Sequence, residues 1–253
     1  DIGFIPTMGG IHEGHISLIR KSKKLCKKNI VSIFINPKQF NNKKDFNNYP
    51  SNIKKDIQIL KKTKIVDFVY IPQFEDIYKL KRKTKILIQN KDKILCAKFR
   101  KGHFEGVLDV MDRLTGYIKP SKIFMGKKDF QQYYLVKTFI KKKYKIKVIA
   151  CNTIRDKNMI ALSSRNFLLN KKELLLASKI TKRLIKLKKI IKFKKKINFF
   201  LFNEKKKLQK DLKINIEYLE NRNKNNLKIS NNHKQSKIFL AYYINKVRLI
   251  DNF

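Results

Sequence analysis

The chain has 253 residues, 62 Lys and Arg against 19 Asp and Glu, a formal net charge of +43 at pH 7 and no Trp. That length buries a substantial core and suits one large domain or two of ordinary size, with two expected. The charge is nearly all Lys and runs through the whole chain among Asn, Ile and Phe, residues of A/T-rich codons, so drift in coding composition accounts for it; neither nucleic acid nor a membrane is expected as a partner, only a general attraction for anionic substrates.

In chain order, short β-branched runs alternate with helical patterns. GFIP (3–6) precedes a helix over 15–24, IVSIFI (30–35) a helix over 53–61, and IVDFVYI (65–71) a helix over 105–117. KIFMG (122–126) then precedes a helix over 129–141, and IKVIAC (146–151) follows. Strands that are apolar throughout and separated by helices predict a parallel sheet covered on both faces. Residues 1–165 are therefore read as a Rossmann-like α/β domain. After Asn166 come Lys-rich helical stretches over 172–195 and 197–212, then strand-like runs at 214–220 and 237–244. The polar, Asn-rich segment 221–236 between those runs reads as a mobile loop or hairpin. Residues 166–253 are expected to form a smaller α+β C-terminal lid domain.

Cys26, Cys96 and Cys151 are odd in number, far apart and without metal-ligand spacing, which excludes a disulfide framework or zinc site and fits a reducing cytoplasm. No run approaches the ~20 apolar residues of a membrane span, and no charged-then-apolar leader opens the chain. The sequence starts without Met, directly at a strand, as if a segment upstream had been trimmed or lost.

Open α/β sheets bind ligands beyond the carboxyl ends of strands, where helix N-termini aim free N–H groups at anions. PTMGGIHEGH (6–15) occupies that place after the first strand. Gly9, Gly10 and Gly14 let backbone approach a ligand, and His12 and His15 offer two donors fit for phosphate oxygens. A histidine pair alone is equally a pair of capping or surface residues, but three further clusters fall where the architecture puts ligand loops. NPKQF (36–40) offers the amides of Asn36 and Gln39 for a neutral polar group. GKKDFQQ (126–132) opens a helix, with Asp129 as N-cap and Lys128 free to reach a phosphate. LSSRN (162–166) sets two hydroxyls beside an arginine at the expected domain junction, where a hinge could bring them over a nucleotide.

The ordered set PTMGxxHxGH, SIFxNPxQF, GHFxGV (102–107), GxKDFQQ and LSSRN, with RLIDN (248–252) near the end, resembles the pantoate–β-alanine ligase family of HIGH-motif nucleotidyltransferases. The resemblance runs over essentially the whole chain. It implies an ATP-dependent condensation in which pantoate attacks the α-phosphate to give pantoyl adenylate and pyrophosphate, after which β-alanine displaces AMP and pantothenate is formed. It further implies ATP with Mg²⁺ as substrate complex, no tightly bound cofactor, no protein-held metal, and a cytoplasmic homodimer. His15, His12 and Lys128 would be the catalytic set. Met8, Gly9, Gly10, Ile11, His12, Glu13, Gly14 and His15 would line the ATP site, joined by Gly126, Lys127, Lys128, Asp129, Ile154, Leu162, Ser163, Ser164 and Arg165. Gln39 and Gln132 would bind pantoate, with Gln39 also near β-alanine, while Asn36 and His103 would shape the acid pocket. Attack at phosphorus needs positioning and charge neutralisation more than a protein nucleophile, and no nucleophilic triad is visible.

The chain departs from the family pattern at several points. Lys127 stands where Glu is common, Lys101 where Pro is usual before Gly102-His103, and Asn158-Met159 where an Asp-Gly turn is usual, which leaves that loop's geometry open. Asp56 is the carboxylate to watch for a magnesium contact, its ordinary alternative being a solvated helix position. Two other readings stay open: another HIGH-motif nucleotidyltransferase, and a degraded, nonenzymatic polyanion-binding remnant.

Overall fold

In the computed structural model, which describes residues 1–80 and 85–253, the chain forms two compact units, Asp1–Ile154 and Arg155–Phe253. In the first, β1 (Ile2–Thr7), β2 (Lys28–Ile33), β3 (Phe68–Tyr70), β4 (Lys122–Gly126) and β5 (Lys147–Cys151) make one parallel sheet in the order β3-β2-β1-β4-β5. The helices of this unit are α1 (Glu13–Leu25), α2 (Lys43–Asn47), α3 (Ile53–Lys62), α4 (Phe74–Tyr78), α5 (Cys96–Phe99), α6 (His103–Ile118) and α7 (Phe130–Tyr144). Phe4, Ile5, Val31, Ile123 and Phe124 are fully buried, neighbours in sequence pointing to opposite faces, as a sheet covered on both sides requires. The Rossmann-like α/β expectation is met.

Two differences from the sequence reading have local causes. The third strand is confined to Phe68–Tyr70 because the residues before it bond to a side chain instead of a ladder. Asn29 donates through Nδ2 to the Ile65 carbonyl and accepts the Asp67 N–H, while the Asp67 carboxylate accepts the Asn29 N–H. The short helices α2, α4 and α5 escape detection because four or five residues are too few to show a helical period.

The second unit holds α8 (Lys171–Ile190), α9 (Ile197–Leu212) and the antiparallel sheet β6 (Asn215–Asn223), β7 (Ser236–Ile244) and β8 (Val247–Asn252), with β7 central. Its core joins Ile180, Leu184 and Leu187 of α8 to Ile197 and Leu201 of α9 and to Ile238 and Leu240 of β7. The first Lys-rich helix stops at Ile190 and a 3₁₀ turn, Ile191–Phe193, completes the stretch. The Asn-rich segment is the hairpin connecting β6 and β7. Asn221 and Asn198 close it: Asn221 donates to the Ser230 carbonyl and Ser236 Oγ, and Asn198 to the Asn221 and Ser230 carbonyls. No helix among the described residues is long and apolar enough to cross a membrane.

Lysines mark helix ends in both units. Lys119, Lys145 and Lys213 cap α6, α7 and α9 in the left-handed region, at φ 47°, 57° and 49°, where glycine is the unstrained choice.

Candidate active site

Running outward from β1 the chain winds through β2 and β3 to one edge, then returns to lay β4 on the other side of β1. The switch point therefore lies between β1 and β4, the place where such sheets open toward ligands. Here the opening is built into the pairing: β1 matches β2 along its whole length, Ile2 to Thr7, but meets β4 only at Gly3 and Phe4. The carboxyl ends of β1 and β4 splay apart, and each carries one of the sequence motifs.

After β1, Gly9 and Gly10 take φ of 79° and 63°, two left-handed residues in succession. The Gly10 N–H donates to Asp56 Oδ2 (2.9 Å) and the Ile11 N–H to Asp56 Oδ1 (2.8 Å). Asp56, in the first turn of α3, is 3% exposed. A Cβ on Gly9 would sit 2.8 Å from Asp56 Oδ2, so space and backbone conformation both call for glycine. Both carboxylate oxygens thus face backbone amides, and the expectation of a solvated helix position is corrected: Asp56 is a buried clamp on the glycine loop.

His12 follows with extended backbone (φ −142°, ψ 174°) and forms the N-cap of α1. Its Nδ1 accepts the Gly14 N–H (3.0 Å), and His15 Nδ1 accepts the His12 N–H (3.4 Å). An Nδ1 that accepts carries no proton, so both neutral rings hold theirs on Nε2. The rings stack with centroids 4.1 Å apart. Burial, then the charge of Lys128, pushes His12 down to about 4; burial, then His12 and Lys128, pushes His15 down to about 3. Near neutral pH the helix start therefore presents two uncharged imidazoles with Nε2–H donors. Glu13 is exposed and ion-paired with Arg20.

Beyond β4, Lys127–Asp129 form a 3₁₀ turn that leads into α7. Asp129 occupies the N-cap position, but its side chain makes no capping bond; it pairs with Lys128 at 3.8 Å. Lys128 is largely buried and acts electrostatically on both histidines, so the β1 and β4 motifs share one site. Lys127 reaches outward to Asn152 Oδ1 (3.0 Å), just past β5. Half-buried Gln132 has no side-chain hydrogen-bond partner among the described residues, whereas Gln131 is committed to the carbonyls of Asp92 and Ile94. Ile154 is part-buried, three residues beyond β5.

The NPKQF segment forms a 3₁₀ turn, Pro37–Gln39, capped by Asn36. Gln39 donates to Met8 Sδ, which ties this turn to the loop after β1. Asn36, 1% exposed, gives its amide to Gln39 Oε1 (3.3 Å) and the Gly106 carbonyl (3.1 Å) and accepts from Tyr78 Oη (2.9 Å). His103 bonds through Nδ1 to the Gln39 carbonyl (2.7 Å) and through Nε2 to Arg100 (2.9 Å), which makes it an Nδ1–H tautomer. Asn36 and His103 therefore act on Gln39, one on its side chain and one on its backbone. Gly106 has its own reason: a Cβ there would lie 2.2 Å from the Lys38 carbonyl oxygen.

Leu162, Ser163, Ser164 and Arg165 belong to the second unit. Ser163 caps the 3₁₀ turn Ser164–Leu168 by accepting the Arg165 N–H (3.3 Å), and Ser164 is buried. The preceding turn closes despite Asn158-Met159: Asp156 Oδ1 accepts the N–H groups of Asn158 and Ile160, and Met159 takes φ 69°. Arg155 at its base makes a bidentate pair with Asp251 (2.7 and 2.8 Å), which gives the RLIDN motif a structural task.

Asp56 as clamp, Tyr78 and Arg100 are the supporting residues that sequence reasoning missed. For Asp56 a signal existed: it lies four residues before Leu60, which is 1% exposed, on the inward stripe of α3. Tyr78 and Arg100 carry no comparable mark.

A family model described as pantoate-beta-alanine ligase matches residues 1–253. The chain is 34% identical to the pantothenate synthetase of Thermosipho africanus over 99% of this chain and 91% of that one. It is 38% identical to the crystal structure of the Francisella tularensis pantoate-beta-alanine ligase complexed with beta-gamma ATP and beta-alanine, with a TM-score of 0.83 over 100% of this chain and 89% of the other. The pantothenate synthetase structure from Thermus thermophilus superposes with a TM-score of 0.90 at 25% identity, covering 100% of this chain and 92% of that one.

Proposed function

The chain belongs to the pantoate-beta-alanine ligase family, and from that premise we propose that this ligase joins pantoate to β-alanine in two steps at the switch point of its parallel sheet. Membership answers the alternative of a different HIGH-motif enzyme; pyrophosphate exchange answers that of a nonenzymatic remnant. In the first step a pantoate carboxylate oxygen attacks the α-phosphorus of ATP and the bond to pyrophosphate breaks. In the second the β-alanine amine attacks the acyl carbon, AMP leaves with the bonding electrons, and the nitrogen gives up its proton to form the amide of pantothenate, the precursor for coenzyme A.

The observation that carries this reading is the neutral histidine pair at the start of α1, its Nε2–H groups beside Lys128. The neutral Nε2–H groups donate to phosphate oxygens, and Lys128 supplies the positive charge that strengthens its hold as pyrophosphate takes up negative charge. The start of α1 adds its positive dipole end to this site, while the Gly9 and Gly10 N–H groups are taken up by Thr7 Oγ1 and Asp56 and set the loop's shape. Gln39 and Gln132 would hold pantoate, with Asn36 and His103 fixing Gln39. Met8, Ile11, Glu13, Gly14, Gly126, Lys127, Asp129 and Ile154 would border the nucleotide. Ser163, Ser164 and Arg165, with Leu162, would bring hydroxyls and a guanidinium from the second unit, acting as a lid. Magnesium would arrive as the ATP complex and neutralise part of the triphosphate charge. A cytoplasmic homodimer completes the proposal.

Pyrophosphate exchange into ATP tests it. Pantoate with ATP and Mg²⁺ should support exchange, and AMP should accumulate only after β-alanine is added. Exchange driven by an amino acid but not by pantoate, or none at all with folded protein, would overturn it.

A further inference from the structure

We propose that Asp56 is a positioning residue: from α3 it fixes the Gly9–Ile11 loop and, through that loop, the Nε2–H tautomers of His12 and His15. This inference rests on the reading of the two histidines as phosphate donors. It begins with the loop itself. Two consecutive left-handed residues, Gly9 and Gly10, have many competing conformations in a free chain, since glycine gives up more freedom than any other residue on folding. The buried carboxylate selects one of them by accepting two successive N–H groups, Gly10 at 2.9 Å and Ile11 at 2.8 Å. Two donors need two acceptors, and a carboxylate has them whereas an amide would turn an NH₂ toward an N–H.

The residue after Ile11 is His12, and the histidine geometry is set by backbone rather than by side chains. The Gly14 N–H donates to His12 Nδ1 and the His12 N–H donates to His15 Nδ1. The second bond, at 3.4 Å, is near the limit of a useful hydrogen bond, so a small displacement of the chain at Ile11 and His12 breaks it. Without that donor His15 Nδ1 is free to take the proton, the Nε2–H is no longer enforced, and the ring turns an acceptor toward the phosphates. The neutrality of both rings down to low pH is the electrostatic expression of the same arrangement.

The test uses the full chain with ¹⁵N-labelled histidine. In the unsubstituted protein the ring nitrogens of His12 and His15 should report Nε2–H tautomers at pH 7 and titrate below pH 5. Asp56→Asn should mix the tautomers and raise at least one midpoint by a pH unit or more, and lower the single-turnover rate of adenylate formation about 10-fold or more with the KM for ATP changed less than threefold. Asp67→Asn is the control. Asp67 also accepts a backbone N–H, that of Asn29, but does not touch the glycine loop, so its loss should lower the melting temperature and leave the histidine spectra alone. Unmoved tautomers and midpoints in Asp56→Asn, or equal changes in Asp67→Asn, overturn the proposal. Should Asp56→Asn not fold, Asp56→Ser, with room for water beside the two amides, carries the same test with the same two outcomes. The spectra need neither pantoate nor ATP, so a failed exchange assay and a failed positioning role are told apart.

Discussion

The two units hold their candidate ligand loops in opposite ways. In the first, Gly10 and Ile11 are tied to a carboxylate 46 and 45 residues away, on the buried face of α3. In the second, the Asp156–Asn166 segment is shaped mostly by bonds spanning two to five residues: Asp156 to Asn158 and Ile160, Ser163 to Arg165, Asn166 to the Ala161 carbonyl. Longer anchors act at its base and its turn, where Arg155 grips Asp251 and Ser178 donates to the Asn158 carbonyl. A loop fixed by distant buried groups inherits the rigidity of the sheet. One fixed by its own neighbours can move as a body without losing its internal shape.

The widest separation between the units should come from Lys128→Ala. Losing the charge beside the histidines should slow adenylate formation about 10² to 10³-fold, near 3 to 4 kcal/mol in the barrier, with little effect on folding. Its neighbour provides the contrast: Lys127→Glu, which exchanges an outward contact with Asn152 for the residue common in the family, should stay within a few-fold. Single-turnover kinetics on both variants decide it, and the reverse result would mean that the motif register is wrong.

Asp251→Asn tests the other side. It leaves Arg155 with an uncompensated, largely buried charge and should destabilise the second unit by about 3 kcal/mol, read as lost hydrogen-exchange protection in β7 and β8 before any change around β1. Uniform loss across both units would show that they unfold as one.

Acid should act first on the first unit. Folded His12 and His15 resist protonation down to about 4 and 3, while in the unfolded chain they take up protons below 6.5. Between those values the unfolded state binds more protons, so this contribution to stability is complete above about pH 6.5 and is lost as the pH falls toward 4. The slope approaches about 1.4 kcal/mol per pH unit for each proton. Urea midpoints between pH 7.5 and 4.5 should flatten when both are replaced by Gln.

Met159→Gly is the smallest effect. Relieving a φ of 69° should stabilise the second unit by about 1 kcal/mol, and Lys119→Gly should do the same for the first; a melting-temperature rise of a few degrees checks each.

The parallel sheet and the β1 and β4 motifs are legible in the sequence because their signals are local: apolar runs between helical periods, glycines at a strand end, rare histidines placed together. The antiparallel β8 is visible there only as the RLIDN motif, since its alternation is short and its purpose, holding Arg155, is a contact 96 residues away. Tyr78 is hard to read for a related reason: it is a polar residue buried by what it bonds to, and a hydrogen bond across 42 residues to Asn36 leaves no trace in spacing. For Asn36 and His103 the motifs are legible, but not the tasks that their long-range bonds give them.

Gly106 shows how such long contacts behave mechanically. With no Cβ on α6, its backbone lies directly against the Lys38 carbonyl, and Gln39 comes next in the chain. Side-chain contacts have rotamers that take up slack; backbone seated on backbone has none. The whole of α6, His103–Ile118, is in that sense a stiff lever whose short arm rests on the turn Pro37–Gln39, so a strain imposed at its distant end would be passed on to Gln39.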